Sequence, residues 1–95
     1  MREQALQTTK MNSLFQAISS LKTKDEAKLF LRDLCTISEL EAMAERWQVV
    51  QLLNKNISYR AIAKKTGSST ATITRVAHWL HHGMEGYKFM LKRAH

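Results

Sequence analysis

The stretch that decides the fold is YRAIAKKTGSSTATITRVAHWL, residues 59–80. Two short helices that cross steeply around a tight turn need a small residue where they meet. They also favour glycine in the turn, because the backbone there commonly requires a positive φ. Ala63 supplies the small residue, Gly67 the turn, and Ile73 a branched apolar anchor on the second helix. The spacing of these three residues predicts a helix-turn-helix.

The solvent face of the second helix is small and rich in hydroxyl groups. Ser69, Thr70, Ala71 and Thr74 would let the helix N-terminus approach the floor of the DNA major groove. Hydroxyls there can bond base edges, and methyl groups can meet the thymine methyl. The remaining candidate DNA-binding residues are the flanking cations Arg60, Lys64, Lys65 and Arg75, and Ser68, which stands where an apolar residue is usual. The cations can neutralise phosphates, so this surface predicts binding to double-stranded DNA.

Charge is divided unevenly along the chain, whose formal net charge is +7. Residues 1–45 carry six Lys/Arg and seven Asp/Glu, whereas residues 46–95 carry nine Lys/Arg and one acidic residue. The net charges are therefore −1 and +8, which suggests an assembly module joined to a polyanion-binding module. A solvated basic surface without a partner is the alternative reading of charge alone.

Apolar residues recur with helical spacing along nearly the whole chain, which has 95 residues and no proline. The pattern predicts six helices in an all-α array, with caps at Ser58 and at Ser68 or Ser69. In the third helix the predicted inner stripe is Leu40, Met43, Ala44, Trp47 and Val50, continuing to Leu53. The last helix is predicted over Met84–Arg93, with Tyr87, Met90 and Leu91 facing inward. We expect one domain, 1–95, with dimerisation helices at about 10–54, a DNA reader at 58–82 and a C-terminal dimer helix at 84–94.

Other classes of protein receive little support from the sequence. Met1–Lys10 lacks the apolar core of a signal peptide, and no apolar run approaches the roughly 18–20 residues of a membrane span. Cys35 is the only cysteine, which suits a reducing compartment, so we expect a cytoplasmic protein without membrane contact. His78, His81 and His82 have metal-ligand spacing, but a solvated helix end is the better interpretation. We expect no catalytic residues, no metal and no cofactor.

Two segments resemble the tryptophan repressor family, within the stretch Thr36–Arg75. The more specific is Ala71-Thr-Ile-Thr-Arg75 after Gly67-Ser-Ser-Thr70, and the other is TISELEAMAER at Thr36–Arg46. The segment Gly83–Lys88 looks more like uncharacterised relatives of the repressor. The resemblance implies an intertwined all-helical homodimer, in which helices one to three and the last exchange between subunits and helices four and five read DNA.

The resemblance also assigns a ligand pocket, which this sequence preserves in part. Thr36, Arg46 and Arg75 match positions that line the tryptophan pocket of the repressor. Val76 and Trp79 stand where the family has a small glycine and a serine that meets the ligand's amino group. Both replacements take up space that an indole needs, so we do not expect tryptophan to bind, and any small-molecule effector is unknown.

These observations together predict a sequence-specific transcriptional regulator, specifically a repressor. It would bind a pseudo-palindromic operator as a homodimer through its helix-turn-helix. The alternatives are a helical protein-interaction adaptor and a non-specific DNA-binding protein with a basic face. Competition between duplex sequences separates these hypotheses, because only a reader prefers one sequence.

Overall fold

The computed structural model describes residues 3–93, and in that range the chain forms six α-helices and no strand. The helices are α1 (Thr9–Ser19), α2 (Lys24–Leu34), α3 (Ile37–Asn54), α4 (Tyr59–Thr66), α5 (Thr70–His82) and α6 (Gly86–Arg93). A short 3-10 helix, Glu3–Gln7, precedes α1 and was not predicted. The predicted all-α array of six helices is therefore confirmed. None of the helices in this range combines the length and apolar character of a membrane span.

The chain divides into two compact units, Met1–Ile37 and Ser38–His95. In the first unit, Thr8 caps α1 by accepting the Met11 N–H at 3.2 Å, and Thr23 caps α2 by accepting the Glu26 N–H at 3.0 Å. The Glu26 carboxylate accepts the Lys22 N–H at 2.9 Å, so side chain and backbone bond in both directions where α2 begins. Neither α1 nor α2 contains a buried residue. Within this chain, α1 and α2 are therefore defined by their capping hydrogen bonds more than by burial in a core.

The hydrophobic core lies in the second unit and joins α3, α4 and α5. Its buried side chains are Val49, Val50, Leu52, Ile62, Ile73, Val76, Ala77 and Leu80. Half-buried residues pack around this core, including Ile57 before α4 and Tyr87 and Leu91 from α6. The predicted apolar anchor on the second helix is thus present, since Ile73 is completely buried, as is Ile62 of α4.

The inner face of α3 differs from the predicted stripe. Val49 and Leu52 are buried, whereas Met43 is 37 % exposed and Leu40 is only half-buried. At about 100° per residue, Val49 and Leu52 lie on roughly the opposite side of the helix from Leu40 and Met43. Val50 of the predicted stripe is completely buried, and Trp47 and Leu53 pack against the core. The predicted stripe was therefore correct in its C-terminal part, but it omitted the side that carries Val49 and Leu52. The helix is apolar on two sides, and a periodicity argument that follows one stripe finds only one of them.

The last helix begins later than predicted, at Gly86 instead of Met84. Glu85 has a left-handed backbone (φ 71°), which cannot continue a helix, and Met84 is 68 % exposed. Met90 is also exposed, at 47 %, although it was predicted to face inward. Tyr87 and Leu91 are half-buried against the core, as expected for one face of a short helix. The predicted end of this segment at residue 94 lies outside the described residues.

Candidate nucleic-acid interface

Local hydrogen bonds define the start of both α4 and α5 and the turn that joins them. The Ser58 hydroxyl accepts the Ala61 N–H at 3.2 Å where α4 begins, and the Ser69 hydroxyl accepts the Thr72 N–H at 3.1 Å where α5 begins. Gly67 ends α4 with a left-handed backbone (φ 76°) and donates its N–H to the Ala63 carbonyl at 2.9 Å. These caps and the turn glycine are those that the sequence predicts, because each depends on neighbours close in the chain.

The exposed face of α5 presents small side chains near the N-terminus of the helix. Thr70, Ala71 and Thr74 are exposed, and the buried Ile73 and Val76 hold the opposite side against the core. No hydrogen bond within residues 3–93 engages the hydroxyl groups of Thr70 and Thr74. Both remain able to donate to and accept from an external partner.

Ser68 and Ser69, which were predicted to belong to the same surface, have hydroxyls that already bond to neighbouring groups of the protein, although Ser69 is exposed. Ser69 accepts the backbone N–H of Thr72, and its hydroxyl lies 3.1 Å from the Thr72 hydroxyl. Ser68 is only 6 % exposed, and its hydroxyl lies 2.9 Å from that of Thr66. The hydroxyls at this surface that make no bond within the protein are therefore those of Thr70 and Thr74.

Four cations border this face and lack an acidic partner among the described residues. Arg60, Lys64, Lys65 and Arg75 are all exposed. A salt bridge joins Lys88 to Glu85 at 3.6 Å and involves none of these four cations. The N-terminus of α5 adds the positive end of the helix dipole. Since α4 and α5 contain no acidic residue, their surface has a positive potential.

A cleft beside α5 brings together four of the five residues of the expected ligand pocket. Arg46, Arg75, Val76 and Trp79 line a cavity of about 390 Å³. Thr36, the fifth, belongs to the other compact unit. The cavity is also lined by residues that the sequence analysis did not identify, namely Ala42, Glu45, Thr72 and Tyr87. Helical spacing could have found Thr72, one turn before Val76, but Tyr87 comes from α6 and no local signal places it there.

A second, larger groove adjoins Trp79 and is mostly apolar. It has a volume of about 650 Å³ and is lined by Trp47, Trp79, Gly83, Met84, Gly86, Tyr87 and Met90. Trp79 is 44 % exposed and contributes to both cavities. The sequence analysis identified neither the groove nor its lining, because α3, α5 and α6 form it together.

The histidines at the end of α5 lie close to one another without forming a metal-binding cluster. The His78 and His82 rings have centroids 5.2 Å apart, and His78 packs edge-on against Trp79 at 5.4 Å. In the described part of the chain, no group of three or more His, Cys, Asp or Glu side chains is arranged to hold a metal ion.

Comparisons with known proteins agree on one family. The family model for the Trp repressor protein matches residues 9–95. An uncharacterized protein of Bacillus subtilis, YerC, is 40 % identical over 88 residues, which are 93 % of this chain and 85 % of that protein. A Trp operon repressor homolog of Xylella fastidiosa is 36 % identical over 80 % of this chain and 78 % of its own length.

A solved structure supports the same relationship. The crystal structure of a TrpR-like protein from Eubacterium eligens superposes with a TM-score of 0.90 and 44 % sequence identity, covering 95 % of this chain and 93 % of that one. The α-helical order and the sequence similarity thus extend over almost the full length of both chains. The chain therefore belongs to the Trp repressor family, a family of DNA-binding transcriptional repressors.

Proposed function

We propose that this protein is a sequence-specific repressor of transcription that binds a pseudo-palindromic operator as a homodimer, through α4 and α5. The observation that carries the proposal is the combination of unpaired cations with small, exposed hydroxyl side chains on one helix pair. Arg60 and Lys64 supply charge on α4, while Thr70 and Thr74 supply hydrogen-bonding groups on α5. Phosphate contacts and base-edge contacts need these two kinds of side chain.

Within this proposal the candidate residues form two groups, one that contacts DNA phosphates and one that contacts base edges. The cations Arg60, Lys64, Lys65 and Arg75 contact phosphates and set affinity, which makes binding depend on salt. Thr70, Ala71 and Thr74 face base edges in the major groove and set sequence preference. Ser69 contributes by capping α5, since its hydroxyl is bonded to Thr72. Ser68 is buried, so its side chain acts from inside the turn.

The apolar surface of a single chain supports a homodimer. Phe15 and Ile18 on α1, and Leu29 and Leu34 on α2, are between 41 % and 70 % exposed. Met43 on α3 is 37 % exposed as well. A chain of this size gains stability by sharing a core, so we propose that a second copy covers these surfaces. Such a dimer would present two α4–α5 pairs to DNA.

The cleft that holds Arg46 and Arg75 supports a repressor that does not depend on tryptophan. Trp79 and Val76 are both part of its wall, together with the two arginines, and both are larger than the glycine and serine that the resemblance to the repressor places there. We propose that α5 reaches its DNA-binding position without an indole ligand between α3 and α5.

Selection of bound sequences from a library of random duplexes tests the proposed function. We expect enrichment of two inverted half-sites whose centres are one helical turn, about 10–10.5 base pairs, or a multiple of it apart. The matched control is the Thr70→Ala,Thr74→Ala double variant, which keeps every cation and should enrich the motif weakly. Recovery of no motif by the wild-type protein would overturn the proposal and favour non-specific binding or an adaptor.

A further inference from the structure

The turn between α4 and α5 contains a polar side chain that is shielded from water. Ser68 is 6 % exposed and is the one buried polar residue in the described range 3–93. A buried hydroxyl is costly unless it is hydrogen-bonded. No buried side-chain nitrogen or oxygen in this range lacks a partner, so the hydroxyl of Ser68 is satisfied within the protein.

Its partner is Thr66, whose hydroxyl connects three points of the turn. Thr66 Oγ1 donates to the Ile62 carbonyl oxygen at 2.8 Å and accepts the Ser68 N–H at 3.1 Å. It also lies 2.9 Å from Ser68 Oγ. Since Thr66 has one hydroxyl proton, which the Ile62 carbonyl takes, Ser68 is the donor in this third contact. Thr66 Oγ1 therefore uses its one donor and both acceptor positions.

These bonds tie the last turn of α4 to the residue just before the cap of α5. Ile62 is completely buried in the core, so it anchors one end of the connection. At the other end, Ser68 is followed at once by Ser69, which caps α5. The turn that leads from α4 to α5 is thus held by side-chain hydrogen bonds in addition to the left-handed Gly67.

We propose that Thr66 and Ser68 are positioning residues for sequence reading: their hydroxyl pair sets the angle between α4 and α5. This inference rests on the proposed function, in which α4 contacts phosphates while α5 reads bases. Both sets of contacts form together only if the two helices keep one relative orientation. Loss of the pair therefore weakens binding to the preferred sequence, whereas non-specific binding, which tolerates many orientations, changes little.

The experiment compares Thr66→Val, which removes the hydroxyl at nearly constant volume, with Thr66→Ser, which keeps it. For each variant the affinities for the preferred duplex and a random duplex are measured, with amide hydrogen exchange of Ser68 and Thr72 and thermal unfolding. Thr66→Val leaves the buried Ser68 hydroxyl and N–H without their partner. We expect its affinity for the preferred duplex to fall about tenfold or more, with faster exchange at Ser68. Affinity for random duplex should stay within about twofold. Thr66→Ser should keep both the affinity for the preferred duplex and the exchange rate of Ser68 close to those of the wild-type protein.

Ser68→Ala, which deletes a single hydrogen bond, supplies the same comparison if Thr66→Val does not fold. A folded Thr66→Val protein that keeps its preference and its exchange rates would overturn the inference. Equal weakening on both duplexes, with lowered thermal stability, would also overturn it, because the pair would then be structural only. If the wild-type protein prefers no duplex, the proposed function fails, and this outcome is visible before any variant is compared.

Discussion

Gly67 and Gly83 end the two helices of the α4–α5 pair in physically different ways. Gly67 has a left-handed φ of 76°, a conformation that costs other residues roughly 1–2 kcal/mol. Gly83 has an ordinary φ of −87° but lies against α5, with its N–H bonded to the Trp79 carbonyl at 2.9 Å. A Cβ atom at residue 83 would collide with that carbonyl oxygen and lie 3.3 Å from Trp79 Cε3. Glycine is required at residue 67 because the backbone there is left-handed, and at residue 83 because there is no space for a Cβ atom.

We predict that Gly83→Ala lowers the free energy of unfolding by about 1–3 kcal/mol, because backbone atoms must shift to admit the methyl group. Gly86→Ala is the matched control, since a Cβ there meets no atom within 4 Å and the residue begins α6. This control should be neutral or stabilising by up to about 1 kcal/mol. Chemical denaturation of both variants measures the difference. Equal stability of the two variants would contradict this account of Gly83.

At the scale of single residues, sequence reasoning succeeds where the determinant is local. The caps Ser58 and Ser69 and the turn Gly67 are predictable because their partners lie within four residues. The burial of Ser68 is not predictable in this way. Its hydroxyl is shielded only because α4 and α5 fold against each other, and the partner Thr66 has no recognisable pattern in the sequence.

At the scale of helices, α3 shows where periodicity is insufficient. Its apolar residues cover two sides, so the residues buried in the core include Val49 and Leu52, which the predicted stripe omitted. The start of α6 was also missed, because Glu85 adopts a positive φ that this residue type seldom shows. The lining of the cleft beside α5 combines α3, α5 and α6, so only part of it could be found from the sequence.

The residues that line the cleft between α3 and α5 lead to a prediction about the binding of tryptophan. We expect calorimetric titration with L-tryptophan to show no binding in the micromolar range, since Val76 and Trp79 occupy part of the cavity wall. The matched variant is Trp79→Ser, which removes the indole from the cleft and leaves Arg46 and Arg75 in place. Gain of binding by this variant would identify Trp79 as the obstacle, and no gain would leave Val76 as the obstacle. Saturable binding by the wild-type protein, with raised DNA affinity, would contradict the prediction.

For the whole molecule, the uncovered apolar surfaces predict a stable dimer. Light scattering at micromolar concentration should give twice the mass of one chain. Met43→Glu puts a charge at an exposed apolar position of α3 and should shift the protein towards monomer or unfolded chain. Gln48→Glu, an equal change of charge at an exposed polar position of the same helix, should leave the dimer intact. A folded wild-type monomer whose mass does not change with concentration would contradict the intertwined assembly.

The sequence predicted the order of six helices and the family, but the division of the chain into two compact units needed the structure. Charge already separated a neutral half from a basic half, because the cations cluster after residue 45. Which apolar side chains remain exposed depends on packing between helices that are distant in sequence, so the sequence alone did not identify them. The 3-10 helix at Glu3–Gln7 was not predicted because five residues are too few to show a repeating pattern of apolar side chains.

The central claim is that α5 reads sequence while α4 holds the DNA backbone, and paired salt titrations test it most directly. Affinities for the preferred duplex and for a random duplex are measured against salt for the wild-type protein, Arg60→Ala and Thr70→Ala. Arg60→Ala should weaken both complexes alike and reduce the log–log salt slope by about 0.9 per lost phosphate contact. Thr70→Ala should cost about 1–3 kcal/mol on the preferred duplex, with little change on random DNA or in slope. Equal weakening of both duplexes by Thr70→Ala, with loss of only the specific complex in Arg60→Ala, would contradict the account.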